Sequence, residues 1–317
     1  MDTTKKRILI TGGAGFIGAN FIRRLTELGY DVNLILKKSS NLWRIKDVLG
    51  EVKVYYVDLL DKNKLAKTVK KINPVFIIHL ATYSNYSNQS DVEQMMNVNI
   101  KGTLNLLIAS KNINYKMFIN TGSSSEYGIK SEPMKENDSL EPISFYAATK
   151  ASSTFLCQVF AREYNKPVVT LRPFSVYGPL EEEKRFVPTI VKAVIKNKPI
   201  KITSGEQRRD FIYIQDVVDI YIKTMSYGKK LSGQIFNVGT GVEYTNDEVV
   251  QTLFKVTGKE VKVEKGAFPK RLWDTSHWVA DISKTKKLLN WKPKFSLEDG
   301  LKETYKWHLS FYEKQRS

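Results

Sequence analysis

A tyrosine and a lysine lie four residues apart in the segment Tyr146-Ala-Ala-Thr-Lys150, and this pair is the most direct sign of chemistry in the sequence. Residues four apart on a helix project from the same face. A phenol with an ordinary pKa of about 10 is a poor base at neutral pH, but an ammonium group one turn away stabilises its phenolate. The pair therefore predicts a side chain that can give and take a proton.

Three consecutive serines, Ser123, Ser124 and Ser125, follow an apolar strand upstream of this pair. Their hydroxyls could hydrogen-bond a reacting carbonyl or alcohol. Serines in a loop more often serve the turn itself, so the catalytic interpretation depends on the Tyr/Lys pair and on the glycine-rich segment described next.

The segment TGGAGFIG places Gly12, Gly15 and Gly18 three residues apart between a strand and a helix. Glycine permits the tight turn, lets a pyrophosphate approach the backbone and lets the helix pack closely, while the helix N-terminus offers N–H groups and a positive dipole end. The spacing alone is a weak indication. Its position after the first strand of a βαβ unit predicts a dinucleotide-binding turn.

The end of the second strand, in LILKKSSN, discriminates between the two nicotinamide dinucleotides. A carboxylate there would bond the adenosine ribose of NAD, whereas a basic residue would accommodate the 2′-phosphate of NADP. The chain has Lys37, Lys38, Ser39 and Ser40 there, with Arg44 a turn further on. We therefore expect NADP(H) to be favoured, and NAD to be the alternative if the lysines are only exposed strand-end residues.

Asp58 ends the third strand in YYVDLLD. Its carboxylate suits the adenine edge of such a cofactor. An aspartate after a strand is equally often the cap of the helix that follows, so both interpretations stay open.

These residues fall on a regular alternation of strands and helices. The apolar runs RILIT, DVNLILK, VKVYYVD, PVFIIHLA, KMFINTGSS and PVVTLRPF alternate with helical patterns, including those over 16–28 and 145–164. The pattern predicts an α/β fold with a doubly wound parallel sheet. After about residue 180 the alternation loosens, and the tail indicates two helices around a WKPK turn. We expect a dinucleotide-binding domain over 1–180 and a smaller α/β lobe over 181–317, some of whose segments return to the sheet.

The chain resembles the extended short-chain dehydrogenase/reductase family that acts on nucleotide sugars, in eight segments that occur in order. These are TGGAGFIG, HLA, NVNIKGT, SSSEYG, YAATK, RPFSVYGP, RRDFIYIQDVV and FNVGTG. The resemblance implies a Rossmann domain that binds NAD(P) and a C-terminal lobe that holds a nucleoside diphosphate-sugar. It also implies a homodimer built through two long helices of each subunit.

By this resemblance the catalytic triad is Ser123, Tyr146 and Lys150. Tyr146 would exchange the proton of the sugar hydroxyl or carbonyl, Ser123 would share the hydrogen bond, and Lys150 would hold the nicotinamide ribose. Ser123 is chosen because the family's catalytic hydroxyl lies four residues before the tyrosine of the YG pair, here Tyr127. Asn99 matches the family's supporting asparagine.

The resemblance also implies two sets of binding residues. Together with the residues above, the cofactor set is Gly12, Gly15, Phe16, Ile17, Gly18, Lys37, Lys38, Ser39, Arg44, Asp58, Leu59, Leu80, Ala81, Asn99, Tyr146, Lys150 and Pro173. The substrate set is Thr82, Ser123, Ser124, Ser175, Val187, Arg209, Arg271 and Asp274. The two arginines and Asp274 match positions that bind diphosphate and ribose, and a guanidinium fork suits a diphosphate. The alternative for an Arg-Asp dipeptide is a structural ion pair.

Three departures from the family pattern narrow the reaction. Dehydratases follow their catalytic threonine with an Asp-Glu pair, where this chain has Ser124 and Ser125. Glu126 is one residue late and, by strand alternation, should point to the opposite face, so we do not expect dehydration. Cys157 is expected in the core instead of in the Cys/His pair of epimerising reductases. Ser175 replaces an asparagine that contacts the substrate diphosphate in many members.

Two enzyme interpretations follow, and both use the same triad. The favoured one is an NADPH-dependent 4-ketoreductase of a nucleoside diphosphate 4-keto-6-deoxyhexose in deoxysugar biosynthesis. The lysines after the second strand support it, and TSGEQRRDFIYIQDVV is similar to CDP-abequose/CDP-paratose synthase-type reductases. The alternative is an NAD-dependent C4 epimerase similar to UDP-glucose 4-epimerase. A distant third is a catalytically silent NADP(H)-binding regulatory protein.

The composition limits the remaining classes. The 317 residues are 42% hydrophobic and 26% charged, typical of a globular protein, and carry a net charge of +17. The lysines are spread over helical patterns without a nucleic-acid motif, so we expect small phosphorylated ligands and no nucleic acid. No apolar run approaches about 18 residues and the N-terminus does not resemble a signal peptide, so we expect a cytoplasmic protein without a membrane partner. One cysteine and three histidines predict no disulfide framework and no metal site.

Overall fold

The computed structural model of the protein describes residues 6–83, 91–268 and 276–314. These residues divide into two compact units, each made of several stretches of chain. The first unit takes the described residues of Met1–Gly128, Ser139–Arg172 and Val218–Phe236, and the second takes those of Ile129–Asp138, Pro173–Val217 and Asn237–Ser317. The division into a cofactor domain over 1–180 and a substrate lobe over 181–317 stays a prediction about ligand binding.

The strands follow one another along the chain with helices between most of them. They are β1 (Arg7–Thr11), β2 (Asp31–Leu36), β3 (Lys53–Tyr56), β4 (Phe76–His79), β5 (Met117–Thr121), β6 (Val168–Pro173), β7 (Ser175–Tyr177), β8 (Ile200–Lys201), β9 (Arg208–Arg209), β10 (Phe211–Tyr213), β11 (Ile235–Val238), β12 (Tyr244–Thr245) and β13 (Val263–Glu264).

Seven strands form one sheet in the order β11-β6-β5-β4-β1-β2-β3. Neighbouring strands from β6 to β3 are parallel, and Thr11 at the end of β1 lies opposite both Ile35 on β2 and His79 on β4. The fold is therefore an α/β Rossmann-like sheet, and the predicted class is confirmed. Because the carboxyl ends of parallel strands share one edge, the residues that follow β1, β4 and β5 meet there.

The helices are α1 (Phe16–Glu27), α2 (Lys62–Ile72), α3 (Val92–Met95), α4 (Gly102–Ser110), α5 (Phe145–Glu163), α6 (Phe186–Ile195), α7 (Ile214–Met225), α8 (Asn246–Thr257), α9 (Ser283–Leu289) and α10 (Leu297–Lys314). A π-helical segment, Met96–Lys101, joins α3 to α4, and 3₁₀ helices span Trp43–Glu51, Ser124–Tyr127 and Gly228–Leu231. The helices predicted over 16–28 and 145–164 and the two helices of the tail are confirmed.

Apolar strand residues form the core of the first unit. Leu9, Ile77 and Phe118, on β1, β4 and β5, are fully buried in one cluster with residues of α2, α4 and α5. Removing each such side chain from water contributes about 1.5–3 kcal/mol to stability. The buried strands thus provide a rigid platform for the edge at their carboxyl ends. No helix in the described ranges is long and apolar enough to cross a membrane.

Candidate functional site

The glycine-rich turn lies at the carboxyl end of β1 and packs against the residues after β4. Gly12 has φ of +71°, and a Cβ atom there would lie 2.5 Å from the backbone nitrogen of Ala81 and 2.6 Å from the carbonyl carbon of Leu80. The Gly15 N–H donates to the Gly12 carbonyl at 3.0 Å and closes the turn. Only glycine combines this backbone conformation with so close an approach.

The first turn of α1 directly follows this loop. Its N-cap is Gly15, no side chain among the described residues caps it, and the first turn contains no acidic residue. A Cβ atom on Gly18 would lie 2.5 Å from the Gly12 carbonyl oxygen, so the loop and helix are in close contact. The N–H groups of the first turn, which include those of Phe16 and Ile17, lack acceptors within the helix. This uncapped, uncharged cradle fits the pyrophosphate of a dinucleotide.

The edge formed by β2 and β3 carries both lysines and a carboxylate. Lys37 Nζ lies 3.4 Å from Asp58 Oδ2, while Lys38 and Ser39 are exposed. Asp58 does not cap α2, because Asp61 does so by accepting the Lys64 N–H. Asp58 instead accepts the N–H of Leu60 within its own turn. The helix-cap alternative for Asp58 is therefore wrong, and the carboxylate stands beside the cation that was expected to favour NADP.

Arg44 is buried, unlike a cation on the surface. It belongs to the 3₁₀ helix Trp43–Glu51, is 7% exposed, and has its guanidinium carbon 4.5 Å from the centre of the Trp43 ring. Its carbonyl accepts a hydrogen bond from Arg23 at 2.7 Å. The role of Arg44 in cofactor binding stays a prediction.

Asn99 connects the loop after β4 to the helix that carries the Tyr/Lys pair. Its Oδ1 accepts the Tyr83 N–H at 2.8 Å and the Thr82 hydroxyl at 3.2 Å, and its Nδ2 donates to Thr149 Oγ1 at 2.9 Å. Thr149 in turn donates to the carbonyl of Tyr146 at 2.8 Å. The asparagine therefore positions the backbone of the Tyr/Lys segment.

His79 continues this network beneath the glycine turn. Thr103 donates to the Asn99 carbonyl at 2.6 Å, so its oxygen accepts the His79 Nε2 proton at 2.9 Å. The other ring nitrogen then accepts the Thr11 hydroxyl at 2.6 Å, and Thr11 accepts the Ala81 N–H at 3.3 Å. Burial, together with the charge of Lys150, lowers the pKa of His79 to about 3, so the ring is neutral.

The predicted triad lies on the loop after β5 and the first turns of α5. Ser123 is the N-cap of the 3₁₀ helix, and its Oγ accepts the Ser125 N–H at 3.2 Å and lies 2.7 Å from Ser125 Oγ. Tyr146 is half-buried near the start of α5, and Lys150 Nζ donates to the carbonyl of Thr121, the last residue of β5. Ser124, predicted to bind substrate, is buried. The roles of these residues stay predictions.

Lys150 is 5% exposed, and this burial is the largest influence on the pKa of its ammonium group. Burial lowers its pKa to about 8, opposed by the negative charge of Glu126 and by Cys157. Burial raises the pKa of the Cys157 thiol, which keeps it neutral in the core as expected. At neutral pH Lys150 is therefore still charged and can stabilise a nearby phenolate.

Strand alternation was expected to turn Glu126 to the opposite face, but the premise that Glu126 lies on a strand is wrong. It belongs to a 3₁₀ helix and not to a strand, and its fully buried carboxylate pairs with Arg172 on β6. The contacts of Glu126, His79 and Thr149 were not predicted from the sequence. His79 and Thr149 lie in the segments HLA and YAATK, but their partners include residues on distant parts of the chain.

Three of the predicted substrate residues, Ser175, Val187 and Arg209, lie in the second unit. Arg209 Cζ lies 5.1 Å from the centre of the Trp278 ring, and its neighbour Asp210 accepts four hydrogen bonds from two loops. Ser175 begins β7, where its N–H donates to the Asp210 carbonyl at 3.0 Å, and Val187 is buried in the first turn of α6. The role of Arg209 in substrate binding, and the ion-pair alternative for the Arg-Asp dipeptide, stay predictions.

The remaining predicted site residues are Leu59, Pro173, Arg271 and Asp274. Leu59 is buried just beyond Asp58, and Pro173 is the last residue of β6. Arg271 and Asp274 lie outside the described residues. Within the ranges 6–83, 91–268 and 276–314, no group of three or more His, Cys, Asp or Glu side chains is placed to hold a metal ion.

Comparison with known proteins places the chain in a family. The model of the GDP-mannose 4,6-dehydratase family matches residues 9–304. A UDP-glucuronate 4-epimerase of Thermodesulfobacterium geofontis is 33% identical over 94% of this chain and 95% of its own. Two solved structures are similar throughout. The UDP-glucose 4-epimerase of Thermotoga maritima, with UDP-glucose, has a TM-score of 0.87 at 29% identity over 98% and 100% of the two chains. The UDP-glucuronic acid 4-epimerase of Bacillus cereus, with UDP-glucuronic acid and NAD, has a TM-score of 0.85 at 28% identity over 96% and 100%.

The chain therefore belongs to the GDP-mannose 4,6-dehydratase family, the extended short-chain dehydrogenases/reductases that include epimerases, dehydratases and decarboxylases of nucleotide sugars. It is an enzyme of this type. The resemblance drawn from the sequence segments is confirmed.

Gly12→Ala tests the dinucleotide cradle, with Gly29→Ala as the matched control. Both glycines have positive φ, +71° and +75°, so the left-handed backbone alone is expected to cost each variant about 1–2 kcal/mol of stability. Only the Gly12 variant places a methyl group against the backbone of Ala81, whereas no atom of the residues that the structure describes lies within 4 Å of a Cβ atom on Gly29. In fluorescence titrations with NADH, Gly12→Ala should lose binding and Gly29→Ala should retain it. Equal binding by the two variants would contradict this placement of the cofactor.

Proposed function

We propose that the protein is an NAD-dependent C4 epimerase of a UDP-sugar. The proposal rests on the side chains of the site that can transfer a proton. Ser123, Tyr146 and a charged Lys150 lie at the carboxyl edge of the sheet. The two carboxylates of the dehydratases are replaced by Ser124 and Ser125. The nearby Glu126 is fully buried and paired, so it supplies no second acid or base. The epimerases named above support the choice of nucleotide and of carbon atom.

Each residue of the site has a separate role in the proposed reaction. Tyr146, as the phenolate stabilised by the Lys150 ammonium, takes the proton of the sugar C4 hydroxyl and later returns it. Ser123 shares the hydrogen bond to the same oxygen, and the glycine cradle and α1 N-terminus hold the cofactor pyrophosphate. A nicotinamide held there would supply a reversible hydride acceptor for C4, so that the sugar would undergo no net oxidation. The neutral ring of His79 and the amide of Asn99 keep these groups in place.

The direct test is cofactor content followed by turnover. Purified protein should retain NAD after dialysis, and chromatography should show conversion of UDP-glucose, UDP-glucuronate or UDP-N-acetylglucosamine to its C4 epimer. Retained NAD with no epimer from any of the three would contradict the proposal.

Tyr146→Phe tests the acid/base role. The variant should bind NAD normally and lose at least about a hundredfold in kcat, because it lacks the proton-exchanging oxygen. Tyr164→Phe, the same change at the C-cap of α5, is the control and should keep full turnover. A Tyr146→Phe enzyme with full turnover would remove this residue from the chemistry.

The second candidate is the NADPH-dependent 4-ketoreductase of a nucleoside diphosphate 4-keto-6-deoxyhexose. Exposed Lys38 and Ser39 after β2 and the absence of a carboxylate at the end of that strand favour it. An enzyme isolated without cofactor that oxidises NADPH with such a keto-sugar would replace the epimerase by this reductase.

Cofactor choice is tested at Lys37, whose ammonium stands beside Asp58. Its removal leaves an uncompensated carboxylate at this edge, which repels a 2′-phosphate. Lys37→Ala should therefore weaken NADP binding by about tenfold and NAD binding little. Exposed Lys46→Ala is the control for a general loss of positive charge. Equal weakening of both dinucleotides, measured by calorimetric titration, would show that Lys37 does not discriminate between them.

We also propose that the enzyme is a homodimer formed through α4 and α5. These two helices pack together in the first unit and expose apolar residues at four-residue spacing: Leu104 and Ile108 at 40% and 50%, and Phe155 and Val159 at 53% and 48%. Exposed apolar residues on two helices that pack together are typical of a protein interface. The occupant we propose is a second copy, as the family resemblance implies.

Phe155→Glu tests this interface. A buried carboxylate without a partner opposes association, so the variant should run as a monomer in light scattering while the wild-type chain runs as a dimer. Leu28→Glu, at an exposed apolar residue just after α1, is the control and should not change the mass. A wild-type monomer at working concentration would contradict the proposal.

A further inference from the structure

The carboxylate of Glu126 is fully buried beside the site and has no part in the proton transfer described above. It is 0% exposed, in the 3₁₀ helix between β5 and α5. Burying a charge is costly unless it is paired and hydrogen-bonded. Its partners show how that cost is offset and what the charge does.

Both carboxylate oxygens are used, and each contacts a different element. Oε1 accepts the backbone N–H of Ser123 at 2.8 Å and the Thr154 hydroxyl at 3.1 Å. Oε2 accepts from Arg172 Nε and Nη2, both at 2.8 Å. One side chain thus joins the serine loop, helix α5 and strand β6.

The bond to Ser123 has a reciprocal partner. The Ser123 hydroxyl caps the same 3₁₀ helix while the Glu126 side chain holds the Ser123 N–H, which is a capping box closed within four residues. The orientation of the Ser123 side chain therefore depends on a carboxylate that does not itself reach solvent.

Thr154 and Lys150 are four residues apart on α5 and therefore lie on the same face of the helix. The hydrogen bond from Thr154 thus places the Glu126 carboxylate at the face that carries Lys150. The Lys150 ammonium is buried as well and donates to the Thr121 carbonyl. The ionisable groups that face it from the packed elements are His79 on β4, Glu126, and Cys157 on its own helix. Near them stand Arg172, already paired, and the phenols of Tyr146 and Tyr221.

Of His79, Cys157 and Glu126 in the described part of the chain, Glu126 is the one that faces Lys150 as a carboxylate, because His79 and Cys157 are neutral. Its effect is to raise the pKa of Lys150 against the lowering caused by burial. Lys150 must carry its proton to stabilise the Tyr146 phenolate. Activity should therefore fall as the pH rises through the Lys150 pKa, and loss of Glu126 should move that fall to lower pH.

We propose that Glu126 is a positioning residue of the active site: its carboxylate fixes the Ser123 loop and balances the buried ammonium of Lys150. The proposal rests on the epimerase site proposed above. It assigns to Glu126 a function that depends on charge, so the isosteric Glu126→Gln variant is the appropriate test.

The first test does not depend on any substrate. In protein labelled with ¹³C at lysine Cε, the Lys150 signal is identified by its absence in Lys150→Met and titrated by NMR. It should titrate near pH 8 in the wild type. In Glu126→Gln it should titrate at least about one pH unit lower. An unchanged Lys150 titration would overturn the proposal, whatever reaction the enzyme catalyses.

The second test uses turnover. In Glu126→Gln, kcat should fall about ten- to a hundredfold with KM little changed, because the misplaced groups act on the reacting atoms. The alkaline limb of the kcat profile should move to lower pH with the Lys150 titration. Unchanged kcat and an unchanged limb would contradict the proposal. If the wild-type enzyme turns over no UDP-sugar, the proposed epimerase activity is refuted. The NMR titration of Lys150 then still tests the role of Glu126.

Two further variants separate charge from fold. Thr154→Val removes one hydrogen bond but keeps the carboxylate, so the Lys150 titration should stay at its wild-type value. If Glu126→Gln does not fold because Arg172 is left unpaired, Glu126→Gln with Arg172→Met removes both charges, a replacement that buried ion pairs often tolerate. The double variant should still lower the Lys150 titration, and an unchanged value in it would overturn the proposal.

Discussion

The structure of the site depends on keeping one ammonium group charged inside the protein. Lys150 is almost fully buried at the carboxyl edge of the sheet, where burial lowers its pKa to about 8. Its proton is retained because a backbone carbonyl at the end of β5 accepts a hydrogen bond from it and because the Glu126 carboxylate stands nearby. A buried cation with these partners remains charged at neutral pH and can make a tyrosine usable as a base.

This constraint explains why the surrounding elements are so closely connected. The parallel strands bring the ends of β1, β4 and β5 to one edge, where a glycine turn leaves room for a pyrophosphate. Hydroxyls of Thr11 and Thr103 hold a neutral histidine between them, which adds no second positive charge beside Lys150. Asn99 and Thr149 then fix the backbone of Tyr146. The network holds the backbone of Tyr146 and the ammonium of Lys150 in place, and in the proposed reaction such preorganisation would be a main contribution of the protein to catalysis.

Much of this arrangement could be predicted from local sequence. Glycine spacing and apolar periodicity predicted the sheet, the phosphate turn and α5, because those features depend on residues close together in the chain. The long-range partners of His79 and Glu126 could not be predicted, since they lie 24 to 68 and 28 to 46 residues away on other elements. Arg44 and Asp58 show the same limit: the burial of the first and the salt bridge of the second arise from packing between neighbouring elements.

The most direct measurement is the fate of a deuterium atom placed at C4 of a UDP-sugar. With the holoenzyme and UDP-[4-²H]glucuronate, or the correspondingly labelled UDP-glucose, we expect a C4 epimer that keeps the deuterium at C4. No solvent hydrogen should enter that position, because in the proposed reaction the hydride leaves and returns within one site. The product is measured by mass spectrometry. Loss of the label to solvent, or a labelled substrate left unchanged by an enzyme that holds NAD, would refute the proposed epimerase.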